Sequence, residues 1–293
     1  SMPHKSGFVN ILGNPNVGKS TLMNMLIGEK LSVMTPKAQT TRHRIMGIMS
    51  GEDYQIVYSD TPGILNPKYK LQSAMMNSVE SALDDADLIL YVTDVVETAE
   101  KNEAFLRRIL DSGVPKIIVI NKIDLTNQEK LENIVEKWKT AAPGTAIIPV
   151  SATNRFNLDT LMNSILSMLP EGEPYFPKDQ LTDRYERFFV SEIIRGKILE
   201  TYQKEIPYSV EIEIESYKEE ESIVRIAAVI YVARDTQKGI IIGHKGEMLK
   251  RVGTGARKEI ESFLGKKVFL EMYVKVARDW RDSSGMLKKF GYI

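Results

Sequence analysis

Between an apolar run, Phe8–Leu12, and a helical pattern, Thr21–Ile27, the chain reads Gly13-Asn14-Pro15-Asn16-Val17-Gly18-Lys19-Ser20. The octapeptide fits G-x-x-x-x-G-K-[ST], and its flanks matter as much as its letters. Glycines allow a tight turn, successive N–H groups surround a phosphate, and the helix start adds a favourable dipole. Such a loop needs a buried strand before it and a helix after it. The feature therefore points to an α/β fold with a mostly parallel sheet and helices on both faces. Lys19 can reach β- and γ-phosphates, the Ser20 hydroxyl can ligate Mg²⁺, and Thr21 follows in the first helical turn.

The surrounding periodicity agrees. Gln55–Tyr58, Leu88–Val92, Lys116–Ile120 and Ala146–Val150 read as further strands. Between them lie helical patterns at Ser73–Leu83, Glu100–Leu110, Glu129–Trp138 and Leu158–Met168. Periodicity stops across Leu169–Asp183, where Pro170, Pro174 and Pro177 stand among acidic residues, so this stretch reads as a linker. The expected boundaries are a nucleotide domain over 1–170, a linker over 171–183 and a second domain over 184–293.

Two more motifs sit at strand ends and identify the nucleotide. Asp60-Thr61-Pro62-Gly63 follows the second strand: its carboxylate can hold Mg²⁺ through water, and the Gly63 N–H can meet a γ-phosphate. Asn121-Lys122-Ile123-Asp124 follows Lys116–Ile120. An Asp carboxylate accepts from both guanine N1–H and the 2-amino group, whereas adenine would leave Asp124 unpaired. A buried polar site that loses its partners discriminates by about 10⁴–10⁵. Asn121 braces the phosphate loop, the Lys122 stem lies on the purine, and Ser151-Ala152 offers a backbone N–H to guanine O6. The nucleotide expected is GTP, with GDP as product.

Composition removes other chemistries. There is no cysteine, which excludes disulfides, thiolate zinc sites and cysteine nucleophiles. Three histidines, His4, His43 and His244, do not suggest a metal cluster and read as surface or loop residues. The longest apolar stretch, Ile226–Ala233, has 8 residues against the ~20 a spanning helix needs. No export signal is visible, and a soluble, cytoplasmic monomer is expected. The 39 basic and 39 acidic residues cancel, but Arg234–Ile293 carries 14 basic against 7 acidic. Nucleic-acid affinity should lie there.

The second half follows another plan. Phe188–Tyr202 is an amphipathic helix, Val210–Ile214 and Ile223–Val232 are strand-like, and Lys238–Ile242 is a short helix. Then come Ile242-Gly243-His244-Lys245-Gly246, a helix marked by Leu249, Val252, Ala256, Ile260 and Phe263, and a strand, Val268–Val274. The order α-β-β-α-α-β around a G-x-x-G turn matches an α+β type II KH domain, which lays about four single-stranded nucleotides along a groove. Lys245 lies in the turn. Lys250, Arg251, Arg257 and Lys258 are either phosphate contacts or a solvated helix face. Ile240–Ile242 reads as core, with one member free to line a base groove. Trp280, in the basic segment Lys275–Lys289, either stacks on RNA or belongs to a tail folded over the sheet.

These residues resemble the translation-factor-like GTPases, and within them the Era family. The resemblance covers essentially the whole chain and includes Gln39-Thr40-Thr41-Arg42, which matches the family's switch I. It implies a GTPase that acts in maturation of the small (30S) ribosomal subunit and binds the 3′ end of 16S rRNA. It also implies that Thr41 ligates Mg²⁺ in the GTP state; spacing alone does not choose between Thr40 and Thr41. Ile64 stands where many small GTPases carry the glutamine that orients water, so no general base is named and slow intrinsic hydrolysis is expected. Asn16 either helps hold a potassium ion, as in similar GTPases, or only shapes the loop. The alternative function is a peripheral signalling GTPase at the inner membrane whose KH-like domain docks a protein.

Overall fold

The computed structural model describes residues 2–34, 37, 40–97 and 101–293. Gln39 of the switch-like stretch, and Glu100 at the start of one expected helix, lie outside the described residues. Two compact units form: Ser1–Pro67 with Met75–Asp183, and Lys68–Ala74 with Arg184–Ile293.

The first unit is built on a six-stranded sheet. Its strands are β1 (Lys5–Leu12), β2 (Ile45–Ser50), β3 (Tyr54–Asp60), β4 (Leu88–Asp94), β5 (Lys116–Asn121) and β6 (Ala146–Pro149), in the order β2-β3-β1-β4-β5-β6. All pairs are parallel except β2 with β3. Every residue of β4 is buried, as expected of a central strand covered on both faces. Helices α1 (Lys19–Ile27), α2 (Lys70–Asp84), α3 (Glu103–Asp111), α4 (Gln128–Ala141) and α5 (Leu158–Met168) connect the strands. One apolar core cluster joins Leu12, Ile64, Val79, Ile89, Tyr91, Ile109, Ile118 and Ile120.

One strand is absent from the sequence reading. β2 reads Ile-Met-Gly-Ile-Met-Ser, with Gly47 in its middle and methionines in place of β-branched residues, so its local β signal is weak. Pairing makes it a strand, Ile45 opposite Asp60 through Ser50 opposite Gln55.

Residues 171–183, read from sequence as a linker, are hydrogen-bonded along the first unit. Gln55 Nε2 donates to the Phe176 carbonyl at 2.9 Å, Lys178 Nζ donates to the Gly51 carbonyl at 2.7 Å, and Thr182 Oγ1 donates to the Met46 carbonyl at 2.8 Å. Prolines there remove helix periodicity without removing anchorage.

The second unit runs α6 (Glu186–Thr201), β7 (Glu211–Glu219), β8 (Ile223–Val232), α7 (Asp235–Ile242), α8 (Glu247–Leu264) and β9 (Lys267–Val276), ending in the short α9 (Ser284–Lys289). Its sheet has the order β7-β8-β9, the first pair antiparallel and the second parallel. Val190, Ile194 and Ile198 of α6, alternate residues of β8, and Val252, Ala256 and Ile260 of α8 form the core. Phe263 lies at the rim, 41% exposed, its ring 5.7 Å from that of Phe189. Trp280 is fully buried, and its Nε1–H donates to the Ser209 carbonyl at 2.8 Å. The tail therefore folds back on its own domain, and Trp280 is core.

Candidate nucleotide site and nucleic-acid groove

Three parallel strands end on a polar residue at the same edge of the sheet: β3 on Asp60, β4 on Asp94, β5 on Asn121. Register holds them level, with Ile11 opposite Asp60 and Asp94 opposite Asn121. The carboxyl ends of parallel strands are where open α/β sheets bind ligands. A cleft of about 380 Å³ opens there, lined by Asn16, Lys19, Ser20, Thr21, Thr41, Gly63 and Lys122 among others.

The loop between β1 and α1 is held from beneath. Gly18 takes φ 94° and ψ 27°, and a Cβ there would lie 2.2 Å from Asn121 Nδ2, so only glycine fits. Asn121 Nδ2 donates to the Val17 carbonyl at 3.0 Å, and its Oδ1 accepts from the Ala152 N–H at 3.0 Å. Lys122 Nζ donates to the Asn16 carbonyl at 2.7 Å and pairs with Asp94 at 2.9 Å. Val17 and Asn14 are buried, while Pro15 and the exposed Asn16 line the cleft. Lys19 is buried, with Nζ donating to the Asn14 carbonyl at 2.8 Å. Burial pulls its ammonium down to about 8 against the attraction of Asp60, so a phosphate arriving there supplies charge the site lacks.

Ser20, Thr41 and Asp60 converge. Ser20 Oγ donates to Asp60 Oδ2 at 2.6 Å and lies 3.0 Å from Thr41 Oγ1. Asp60 is fully buried, and its Oδ1 has no hydrogen-bond partner among the described residues. Two hydroxyls and a buried carboxylate with an orphaned oxygen are the hard donors Mg²⁺ takes. Thr40 differs, because its hydroxyl donates to the Lys37 carbonyl at 2.7 Å.

Thr61 is buried with Oγ1 donating to the Ile11 carbonyl at 2.7 Å, and Pro62 and Gly63 follow, also buried. Ile64 is 2% exposed and packs into the apolar core, so its side chain does not face the cleft. Asp124 is exposed, and Ser151 Oγ donates to its Oδ1 at 2.9 Å. The Ser151 N–H is taken by the Phe156 carbonyl at 3.2 Å. A guanine O6 would therefore share the Ala152 donor with Asn121.

In the second unit, α7 ends at Gly243 with φ 76° and ψ 178°. A Cβ there would lie 2.5 Å from Met248 Cγ. His244 and Lys245 are exposed in the turn, Lys245 itself left-handed at φ 53°, and Gly246 closes it. Beside the turn a groove of about 360 Å³ runs between α8 and β9, lined by Gly246, Leu249, Lys250, Gly253, Leu270 and Met272, among others. Arg251 is exposed but does not line it, and Arg257 pairs with Glu261 at 2.8 Å. Ile241 is buried, Ile242 is packed against the core, and Ile240 is 49% exposed. Asp94 and Asn102 were not singled out from sequence. Asp94 alone carried a signal, a polar residue closing an apolar strand at the edge where Asp60 and Asn121 stand.

Fold and cleft define a P-loop GTPase carrying a C-terminal type II KH domain. Residues 8–122 match the family model described as 50S ribosome-binding GTPase, and residues 205–281 match the KH domain model. The chain is 46% identical to GTPase Era of Alkaliphilus metalliredigens, over 99% of this chain and 100% of that one. It is 44% identical to GTPase Era of Staphylococcus epidermidis, over 99% and 98%. The chain belongs to the GTPase Era family, and it is a GTPase. Among solved structures, an Aquifex aeolicus Era variant bound to GDP·AlF4⁻ is similar at TM-score 0.94 and 40% identity, covering 98% of this chain and 99% of that one. Era in complex with MgGDPNP and nucleotides 1506–1542 of 16S ribosomal RNA is similar at TM-score 0.94 and 39% identity, covering 99% of both.

Proposed function

We propose that this GTPase binds the 3′ end of 16S rRNA in its KH groove and acts in maturation of the 30S subunit, with GTP turnover timing its release. The observation that carries the reading is the exposed His244-Lys245 turn, which precedes Gly246 at the edge of the groove lining. It stands in a chain similar over its whole length to an Era solved with MgGDPNP and a 16S rRNA fragment. Residues 1–170 serve as the GTPase domain and 184–293 as the RNA-binding domain.

Ser20, Thr41 and Asp60 would hold Mg²⁺, which when bound neutralises phosphate charge. Lys19 meets the β- and γ-phosphates, the loop N–H groups between Gly13 and Ser20, which Pro15 does not supply, wrap the β-phosphate, and Gly63 N–H faces the γ-phosphate. Asp124 reads guanine. With Ile64 in the core, no side chain at that position orients water, and isolated turnover of about 10⁻⁴–10⁻² s⁻¹ is expected. Asn16 lines the cleft, where its amide oxygen could hold a potassium ion; equal rates in KCl and NaCl would remove that ion from the reading. Crosslinking in cells followed by sequencing of the bound RNA tests the whole proposal. Reads at the 3′ end of 16S rRNA are expected, and recovery with membranes free of rRNA would overturn it.

A further inference from the structure

Asn102, just before α3, breaks two local rules at once. Its backbone is left-handed at φ 57° and ψ 38°, a conformation most residues with a Cβ avoid and asparagine tolerates better. It also stands at the helix N-cap, where an asparagine oxygen ordinarily accepts from a helix N–H, yet it makes no capping bond. The side chain is turned to other partners. Nδ2 donates to Asn14 Oδ1 of the phosphate loop at 2.9 Å and to the Ile64 carbonyl at 2.8 Å. A carbonyl can only accept, so the Ile64 contact fixes which end of the Asn102 amide faces inward.

Ile64 is thereby pinned three times. Its side chain is in the core, its N–H donates to the Gly13 carbonyl at 3.1 Å, and its C=O accepts from Asn102. The peptide before it belongs to Gly63. We propose that Asn102 is a positioning residue for hydrolysis: it holds the Gly63–Ile64 backbone against the phosphate loop so that the Gly63 N–H is already aimed at the γ-phosphate. Where many small GTPases place a mobile glutamine, this chain fixes the backbone instead. A donor held in place stabilises charge developing on the γ-phosphoryl group without reorganising. The inference rests on the proposed placement of the γ-phosphate at Gly63. GDP lacks that group, so Asn102 should matter for the triphosphate and not for the diphosphate.

Asn102→Gly is the informative variant, since glycine keeps the left-handed backbone without strain and deletes both hydrogen bonds. Asn102→Asp is nearly isosteric and cannot donate when ionised. In both, kcat and affinity for a non-hydrolysable GTP analogue should fall about tenfold, the net worth of one hydrogen bond. GDP affinity should stay within about twofold. Equal losses for GDP and analogue would reduce Asn102 to a scaffold of the phosphate loop, and unchanged kcat and analogue affinity would overturn the proposal. Unaltered protein that binds analogue no differently from GDP in the presence of Mg²⁺ would instead show that the γ-phosphate reading has failed, and the inference with it.

Discussion

Asp124 is the exposed residue of an otherwise buried Asn121–Ala152 network, its Oδ1 held by the Ser151 hydroxyl at 2.9 Å. That bond orients the carboxylate and leaves lone pairs for a base edge bearing two donors. Asp124→Asn should therefore lower GTP affinity by about a hundredfold, because two charge-assisted bonds are weakened at once. Xanthosine triphosphate should partly restore binding, since an amide N–H pairs with the 2-oxo group that replaces the amine. Retained preference for GTP in a competition titration would reject this role. Tyr202 offers a pH test. It is buried, its hydroxyl donates to the Ile241 carbonyl at 2.5 Å, and burial pushes its phenol up to about 12 from the ordinary value of about 10. The fold favours the protonated phenol, so its stabilisation is complete below about pH 10 and disappears as pH rises through about 12. Tyr202→Phe leaves a buried carbonyl unpaired and should cost about 1–3 kcal/mol at neutral pH. The gap between the two proteins in urea unfolding should narrow between pH 10 and 12; a constant gap would reject the assignment.

At the scale of elements, the turn between α7 and α8 has no room for a Cβ at Gly243 and is exposed at His244 and Lys245. Replacing His244 and Lys245 together by aspartate keeps both glycines, and aspartate is among the residues that tolerate the left-handed backbone at 245. Phosphates would then meet two negative charges in place of a cation. RNA affinity should fall below detection in a fluorescence titration with a short 16S rRNA 3′ fragment, while GTP affinity is unchanged. Undiminished RNA binding would make the turn purely structural. Trp280 shows the opposite case. Its place in a basic segment left stacking on RNA and a tail folded over the sheet both open, and full burial, with its ring 5.6 Å from that of Phe290 at 85°, decides for the folded tail.

For the whole molecule, the question is whether nucleotide and RNA are linked. The chain carrying Gly63 passes, a few residues on, into Lys68–Ala74, which groups with the second unit. If the γ-phosphate orders Gly63 as proposed, it acts on the stretch of chain that leads into Lys68–Ala74. Binding linkage is reciprocal: if GTP tightens RNA over GDP, RNA tightens GTP over GDP by the same factor. Coupling of about 1–3 kcal/mol, or roughly 5–150-fold, is expected. It is measured by titrating the rRNA fragment against protein saturated with GDP or with a non-hydrolysable analogue. Equal dissociation constants across several salt concentrations would leave the two halves tethered but independent, and the timer would fail.

The α/β class of the first half, the phosphate loop, the guanine motif and the KH order were legible in the chain because each rests on short-range constraints. A tight turn demands glycine at fixed offsets, a doubly covered strand must be apolar throughout, and a helix repeats every three or four residues. What the chain left open depends on residues far apart in sequence. Thr41 is distinguished from Thr40 by a hydroxyl 3.0 Å from Ser20, 21 residues away. β2 exists because β3 pairs with it, and residues 171–183 are anchored by partners more than 100 residues earlier. Trp280 is core because its N–H finds the Ser209 carbonyl, and Asn102 acquires its partners only when the residue before α3 comes beside the phosphate loop. Hydrogen bonds and burial between distant segments are set by tertiary packing, and no local pattern in the chain encodes them.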